Sequence, residues 1–478
     1  MPVPDAGLGP SVAAVRDVDL DEIQGNILSG YRLPYGAFLL VSLKEPGRGR
    51  AWLKGLLRRK LVTTARAQSR NPVKAANLAF TYAGLQSLGV PELLLRLFTA
   101  DFRQGMQARA RRLGDTNLNA PRHWEKGLKD VDGGHVMLML RARTRRARNL
   151  AVAGEWSVIK RHRLAVVYRE LSDPLASDPN DAQQCGPGNR EHFGFADGCS
   201  QPLIEGTEAA GDDPYQCVKA GEILLGYLDG DDDVPGAARF FRNGSFMVFR
   251  KLEQRVAAFN NVLRENEAKL RRCEAEPKIV GRLHDGTPLV AHQEARGSRD
   301  REELNDFRYG SPSDDQPADL RARDPEGFLC PLGAHIRRAF PRDALVGGDA
   351  RARRHRILRR GMPYGARLPD GEVREGDPDK GRGLLFICFN ASIARQFETV
   401  QGWCLDGNLF DLPGESDFLL GPAVTRMTIQ GRDGDRQLRR NRQLVYTKGG
   451  GYFYYPSVPA LEAIAKGDYS GELEALTR

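Results

Sequence analysis

The chain has 478 residues, 41% of them apolar, with 71 lysines and arginines against 62 aspartates and glutamates for a net charge of +9. That length exceeds what one compact core holds, so two domains are expected. No apolar stretch reaches the roughly 20 residues a membrane helix needs, no basic-then-apolar leader opens the chain, and no patterned nucleic-acid module is present; a cytoplasmic protein without membrane or nucleic-acid partners is expected.

Residues 1–18 are expected to be flexible, with order beginning near DLDEIQGNIL (19–28). GAFLLVSL (36–43) has the pattern of a buried strand, and in the RGRAWLKGLLRRKL that follows, Trp52, Leu53, Leu56, Leu57 and Leu61 share one helical face. LAFTYAGLQSLGV (78–90) and ARARRLGD (108–115) mix strand, turn and helix signals, whereas HVMLMLRA (135–142) and LAVVYREL (164–171) read as strands. The first domain, expected over 19–185, thus alternates strands and helices. A second, over 186–470, opens with EHFGFADGCSQP (191–202) and continues with strand-like GEILLGYL (221–228) and GSFMVFRKL (244–252). A helix with Val256, Phe259, Leu263 and Leu270 at core spacing follows. From about 284 to 326 the chain is polar and rich in Gly, Pro, Asp and Arg, which predicts a long surface insertion. GLLFICFN (383–390) and GGGYFYYP (449–456) resume the strand pattern, and PALEAIAKG (459–467) is a closing helix with proline in its first turn. Two α+β halves meeting along a cleft offer a place for a cofactor.

Seven scattered cysteines without a C-x-x-C pair argue against a zinc site and a disulfide framework. Each of the eight histidines is, by residue type, more often structural than a ligand. His335 stands out by its setting, CPLGAHIRRAFPRD (330–343). A neutral imidazole beside fixed cations suits a metal whose other ligand is anionic, such as haem with its propionates. A helix start whose arginines face water is the favoured alternative on residue types alone. In RRHRILRRGMPYG (353–365) the alternation suggests a strand with one arginine pointing inward, and Arg359 with Asp197 is a candidate for a buried ion pair; contact of this basic run with phosphate or nucleic acid is the other reading.

Taken in series, IQGNIL (23–28), AFTYAGL (79–85), HFGFADGCSQP (192–202), KAGEILLGY (219–227), NGSFMVFRKL (243–252), AHIRRAFPRD (334–343), HRILRRGMPYG (355–365), LLFICFN (384–390) and GGGYF (449–453) resemble the dye-decolorising peroxidase family over almost the whole chain. The resemblance implies an α+β fold of two ferredoxin-like halves, each a four-stranded antiparallel sheet with peripheral helices, with one haem b per chain held in the C-terminal half. It implies His335 as the iron ligand, oriented by an acid for which Asp417 is preferred over Asp406. Asp197 corresponds to the distal acid-base that moves the proton of hydrogen peroxide, with an optimum on the acid side, and Arg359 to a cation that stabilises the departing oxygen. Gly194 and Gly198 are expected to let the backbone pass close to the macrocycle, and Arg337 to pair with a propionate. Phe386 and Phe389 are expected to line a dry pocket or to be strand core.

Hydrogen peroxide would then oxidise dyes, phenols or other aromatic reductants through a ferryl-haem intermediate. Bulky dyes would need a surface aromatic relay, for which Trp403, Tyr364, Tyr452, Tyr454 and Tyr455 are candidates. Alternatives on the same scaffold are haem binding, sensing or deferrochelation without peroxidase turnover. Phe340 and Gly361 stand where family members commonly, or in one subgroup, carry asparagine. Homo-oligomerisation is left open.

Overall fold

Apolar runs separated by polar turns fold into thirteen strands among the residues that the computed structural model describes: 18–43, 45–129, 131–133, 136–175, 190–207, 216–291, 305, 307–310, 324–345, 348–368 and 379–477. The N-terminus as far as residue 17, the boundary expected at 185/186, His135, His292 and Cys185 lie outside these residues.

The first half contributes β1 (Tyr35–Ser42), β2 (Lys74–Phe80), β3 (Val136–Ala142) and β4 (Ala165–Ser172). They form an antiparallel sheet in the order β4-β1-β3-β2. The helix Pro46–Arg58 connects β1 to β2's side of the sheet, and Trp52, Leu53 and Leu56 pack inward from it. The helix Arg145–Arg161 connects β3 to β4; Thr144 Oγ1 accepts the Ala147 N–H and starts it. In the sequence its start lies in the basic run RARTRRARN (141–149), whose arginines mask the helical period.

In the second half β5 (Leu203–Ile204) and β6 (Cys217–Val218) form a small parallel pair. The principal strands are β7 (Ser245–Gln254), β8 (Leu358–Arg359), β9 (Met362–Tyr364), β10 (Gly383–Asn390) and β13 (Val445–Tyr455), with β11 (Val424–Ile429) and β12 (Arg436–Asn441) as a separate hairpin. The order β13-β7-β10-β8 repeats that of the first half, fourth-first-third-second, the arrangement of a ferredoxin-like unit. The two halves join edge to edge where Tyr454 of β13 pairs with Phe80 of β2, giving one nine-stranded sheet.

Period-2 alternation sends neighbouring residues of each strand to opposite faces. On β13, Tyr452 and Tyr454 enter one core while Phe453 and Tyr455 enter the other; on β10, Cys388 enters the first and Leu385, Ile387 and Phe389 the second. Each such ring or aliphatic chain contributes ~1.5–3 kcal/mol on burial.

Two sequence expectations fail here. GEILLGYL is not a strand but a series of tight turns. Gly226 adopts φ 83°, and a Cβ on Gly221 would lie 2.3 Å from the Tyr227 carbonyl oxygen, so its glycines bend the apolar run before it can pair. The segment 284–326 is not wholly a surface excursion. Residues 292–304, 306 and 311–323 lie outside the described residues, but Phe307 and Tyr309 are fully interior.

Candidate active site

The second half encloses a cavity of about 270 Å³. Helices bound it on one side and the edge of the sheet at β8 and β10 on the other, with the loop 191–200 completing the wall.

His335 is the first residue of a one-turn helix, His335–Ala339, and among the described histidines it alone lines the cavity. Its Nδ1 lies 2.7 Å from Asp417 Oδ2. Asp417 is completely buried, and its other oxygen accepts the N–H groups of Leu419 and Leu420 at 2.9 and 2.8 Å. A carboxylate so occupied can only accept from the ring, so Nδ1 carries the hydrogen and Nε2 presents its lone pair to the cavity. Burial opposes protonation of His335, but the Asp417 charge and hydrogen bond outweigh it and hold the imidazole pKa above its ordinary value. Burial likewise raises Asp417, and His335, the Leu420 N–H and Arg338 together bring it below the usual carboxylate range. Asp406 is exposed and its carboxylate accepts its own loop's Asn408 N–H; it does not orient His335. Cys404 lies beside the pair, yet burial keeps its thiol protonated, with a pKa far above the ordinary value. One available imidazole nitrogen is therefore the donor set, which would suit a metal held mainly by a cofactor's own ligands rather than a chelated bare ion.

Asp197 and Arg359 meet at the sheet side. Arg359 Nη1 donates to Asp197 Oδ1 at 3.3 Å and its Nη2 to the Cys199 carbonyl at 2.7 Å, while its backbone N–H is held by Gln201. Leu358 of β8 enters the opposite core, so alternation aims Arg359 at the cavity. Asp197 Oδ1 also accepts the Gly198 N–H at 2.7 Å. Its loop turns through Gly194 and Gly198 at φ 98° and 84°, a region that penalises any Cβ. Glu191, a residue that sequence reading passed over, fixes this loop: its two oxygens accept the N–H groups of Phe193 and Phe195, both at 2.9 Å. A Cβ on Gly361 would stand 3.6 Å from Asp197 Oδ2, so glycine there keeps that oxygen unobstructed.

The other expected residues divide between the cavity wall and positions away from it. Gly198 and Phe386 line the cavity; Gly194 stands behind it, against the His284 ring. Phe389 does not line it: three residues from Phe386 on β10, it faces the opposite core and packs on Tyr455. Arg337 does not line it either. Two residues beyond His335 on a helix, it points away. Its guanidinium donates to the carbonyls of Asp324, Cys330 and Pro325 and stacks 4.2 Å over Tyr309.

The cations that do line the cavity are Arg282, Arg342, Arg356 and Arg359. Burial pulls the pKa of Arg342 down to about 10 and that of Arg356 to about 9, with the mutual repulsion of the cluster adding to the effect, and Arg342 Nε has no hydrogen-bond partner. Phe340 lies between them, its ring 4.8 Å from Arg342 and 4.1 Å from Arg356; an aromatic face supports both cations where an asparagine would not. Crowded buried guanidiniums facing an apolar-walled cavity fit a planar dianionic cofactor. The surface-relay expectation fails for Tyr364, Tyr452, Tyr454 and Tyr455, which are all buried. Trp403 is half-buried, edge-on to His355 with centroids 5.0 Å apart.

An Asp–Arg pair and an acid-bound histidine thus share one cavity on an α+β fold. Residues 22–153 match the DyP dimeric alpha+beta barrel domain and residues 189–413 the C-terminal domain of Dyp-type peroxidases. A multifunctional dye peroxidase of Amycolatopsis sp. is 30% identical over 93% of this chain and 96% of its own. A dye-decolorizing peroxidase of Mycetinis scorodonius is 28% identical over 97% of this chain and 91% of its own. The solved structure of a dye-decolorizing peroxidase in complex with 2,6-dimethoxyphenol superposes with a TM-score of 0.77, at 26% identity over 94% of this chain and all of that one. The chain belongs to the DyP-type peroxidase family, whose members are haem enzymes. No helix among the described residues is long and apolar enough to cross a membrane.

Replacing Asp417 by Ala is expected to weaken haem binding about 10–100-fold, the usual effect of losing a partner that orients a ligating histidine. Titration of haem into the apoprotein, followed by the Soret band, measures it; an unchanged affinity removes Asp417 from this role.

Proposed function

We propose that the protein uses hydrogen peroxide to oxidise dyes, phenols and related aromatic compounds with one haem b bound per chain. The observation that carries this reading is the placement of an ion-paired carboxylate, Asp197, and an imidazole with a free Nε2, His335, on one apolar cavity. His335 Nε2 would bind the iron, and Arg342 and Arg356 would balance the propionates. Ile336, Leu384, Phe386 and Leu419 would exclude water from the ring faces. Bound haem supplies the electrons that cleave the peroxide O–O bond.

The chain's own part is to move one proton and steady one charge. Asp197 Oδ2 accepts the proton from the near oxygen of peroxide and returns it to the far oxygen, which leaves as water. Arg359 keeps Asp197 in place and stabilises negative charge as it builds on the leaving oxygen. The aromatic donor then gives back electrons one at a time, and Trp403, the half-buried aromatic beside the cavity-lining Cys404, is the entry point for donors too large for the cavity.

Absorption spectra of the purified protein with and without peroxide test the proposal. A Soret band that shifts on mixing and recovers when a phenol is added is the expected result. A stable band indifferent to peroxide points instead to haem binding or iron release without turnover, and no band at all rejects both.

A further inference from the structure

We propose that Tyr452 is a redox-active tyrosine, which gives one electron to the peroxide-oxidised haem and its phenolic proton to Glu398; this rests on the peroxidase reading above. β13 carries three tyrosines within four residues, all buried, and their hydroxyls meet different partners. Tyr454 donates to the Phe240 carbonyl and Tyr455 to the Gly25 carbonyl, both at 2.7 Å. Tyr452 alone of the three donates to a carboxylate, Glu398 Oε1, at 2.9 Å. The difference decides their chemistry. A phenol that loses an electron becomes a far stronger acid than any carboxylic acid, so it must shed its proton at once; a carboxylate takes that proton and can return it, and a peptide carbonyl cannot.

Position selects the same residue. Glu398 closes a π-helical turn, Ala394–Glu398, that leads into the helix Thr399–Leu405, a local widening often found at functional sites. The turn splits two neighbours between two tasks. Phe397 lines the haem cavity, while Glu398 turns to Tyr452. The Phe397 ring stands edge-on to that of Tyr452 with centroids 6.2 Å apart, and 6.1 Å from the ring of Phe386, which also lines the cavity. Tyr452 is thus one ring behind the cavity wall. Tyr168 also meets a carboxylate, Glu170 at 3.0 Å, but neither it nor its neighbours Lys251 and Tyr364 line the cavity.

The surroundings hold the pair ready. Glu398 is buried between Arg109, which grips both of its oxygens, and Arg112 Nε at 2.9 Å, so a carboxylate can stay in the interior. Burial, and then the Glu398 charge, raise the Tyr452 pKa far above that of an ordinary phenol, which keeps the hydroxyl protonated until it is oxidised. In the forward step the Oη–H bond breaks, the proton passes to Glu398 Oε1, and the electron leaves through Phe397 towards the cavity. In the return step an external aromatic reductant restores the electron and Glu398 the proton.

Rapid-freeze electron paramagnetic resonance of the haem-loaded enzyme, mixed with stoichiometric peroxide and no reductant, tests this. The expected result is a tyrosyl signal whose splitting collapses in protein grown on ring-deuterated tyrosine. It is lost in Tyr452→Phe and kept in Tyr454→Phe. A tyrosyl signal that persists in Tyr452→Phe, or none in the parent although its Soret band responds to peroxide, overturns the assignment. A Soret band that never responds overturns the peroxidase reading itself and this proposal with it.

Discussion

Asp197→Asn is expected to slow the reaction with hydrogen peroxide by ~10²–10⁴-fold, the usual contribution of a positioned acid-base, while haem stays bound. The substitution is nearly isosteric. An asparagine oxygen still accepts from the Gly198 N–H and from Arg359, which now hold Oδ1 at 2.7 and 3.3 Å, so the loop need not move. What disappears is the capacity to take a proton and give it back. Among the described residues, Asp197 has no substitute nearby. His192, five residues before it, is turned away with Nε2 on the Tyr364 carbonyl, and burial lowers its pKa to about 4. Glu191 lines the cavity but has both oxygens committed to backbone N–H groups. Stopped-flow recording of the Soret band measures the rate. A variant as fast as the parent removes Asp197 from the proton path.

His335→Ala is expected to abolish stable haem binding and to destabilise the apoprotein by about 3–5 kcal/mol. The first effect follows because no other described histidine reaches the cavity. The second follows because Asp417, completely buried, loses the ring N–H that Oδ2 accepts, and removing one partner of a buried charged pair costs about that much. The two effects separate experimentally. Free imidazole refills the truncated site, so it should restore a Soret band in a variant that is folded, whereas denaturant titration of the apoprotein reads the cost of the orphaned carboxylate. Haem retained with an unchanged spectrum rejects His335 as the ligand.

Much of the fold was legible because it is written in short-range periodicity. The strands at 36–43, 135–142, 164–171, 244–252 and 383–390 lie within a residue or two of β1, β3, β4, β7 and β10. Errors arose where a local signal was overridden. GEILLGYL has strand composition, but two glycines bend it into turns. The helix Arg145–Arg161 hides its period beneath arginines, one of which, Arg148, is buried and donates to the carbonyls of Gly36 and Ser172.

The site divides in the same way. Two of the expectations that placed residues on the cavity ran against the period of their own element. Arg337 follows His335 by two on a helix and Phe389 follows Phe386 by three on a strand, and both spacings send side chains to different faces. That much could have been read without coordinates. Which arginines take the place of Arg337 could not. Arg342 and Arg356 reach the cavity by way of the Phe340 ring between them, a contact set by how the short helix His335–Ala339 and the edge strand β8 approach each other.

By itself the sequence determined the α+β character and most of the strands, because propensity and turn geometry act between near neighbours in the chain; His335, Asp197 and Arg359 were singled out by the resemblance of their motifs to a known family. Tertiary structure brings Asp417, already the preferred of the two acids, within hydrogen-bond reach of His335, and it alone decided that Tyr452 rather than Tyr454 meets a carboxylate. It also decided that four tyrosines expected at the surface lie inside. Those outcomes depend on pairs 82 and 54 residues apart, and only the packing of helices against one face of a shared sheet brings such pairs within hydrogen-bond reach.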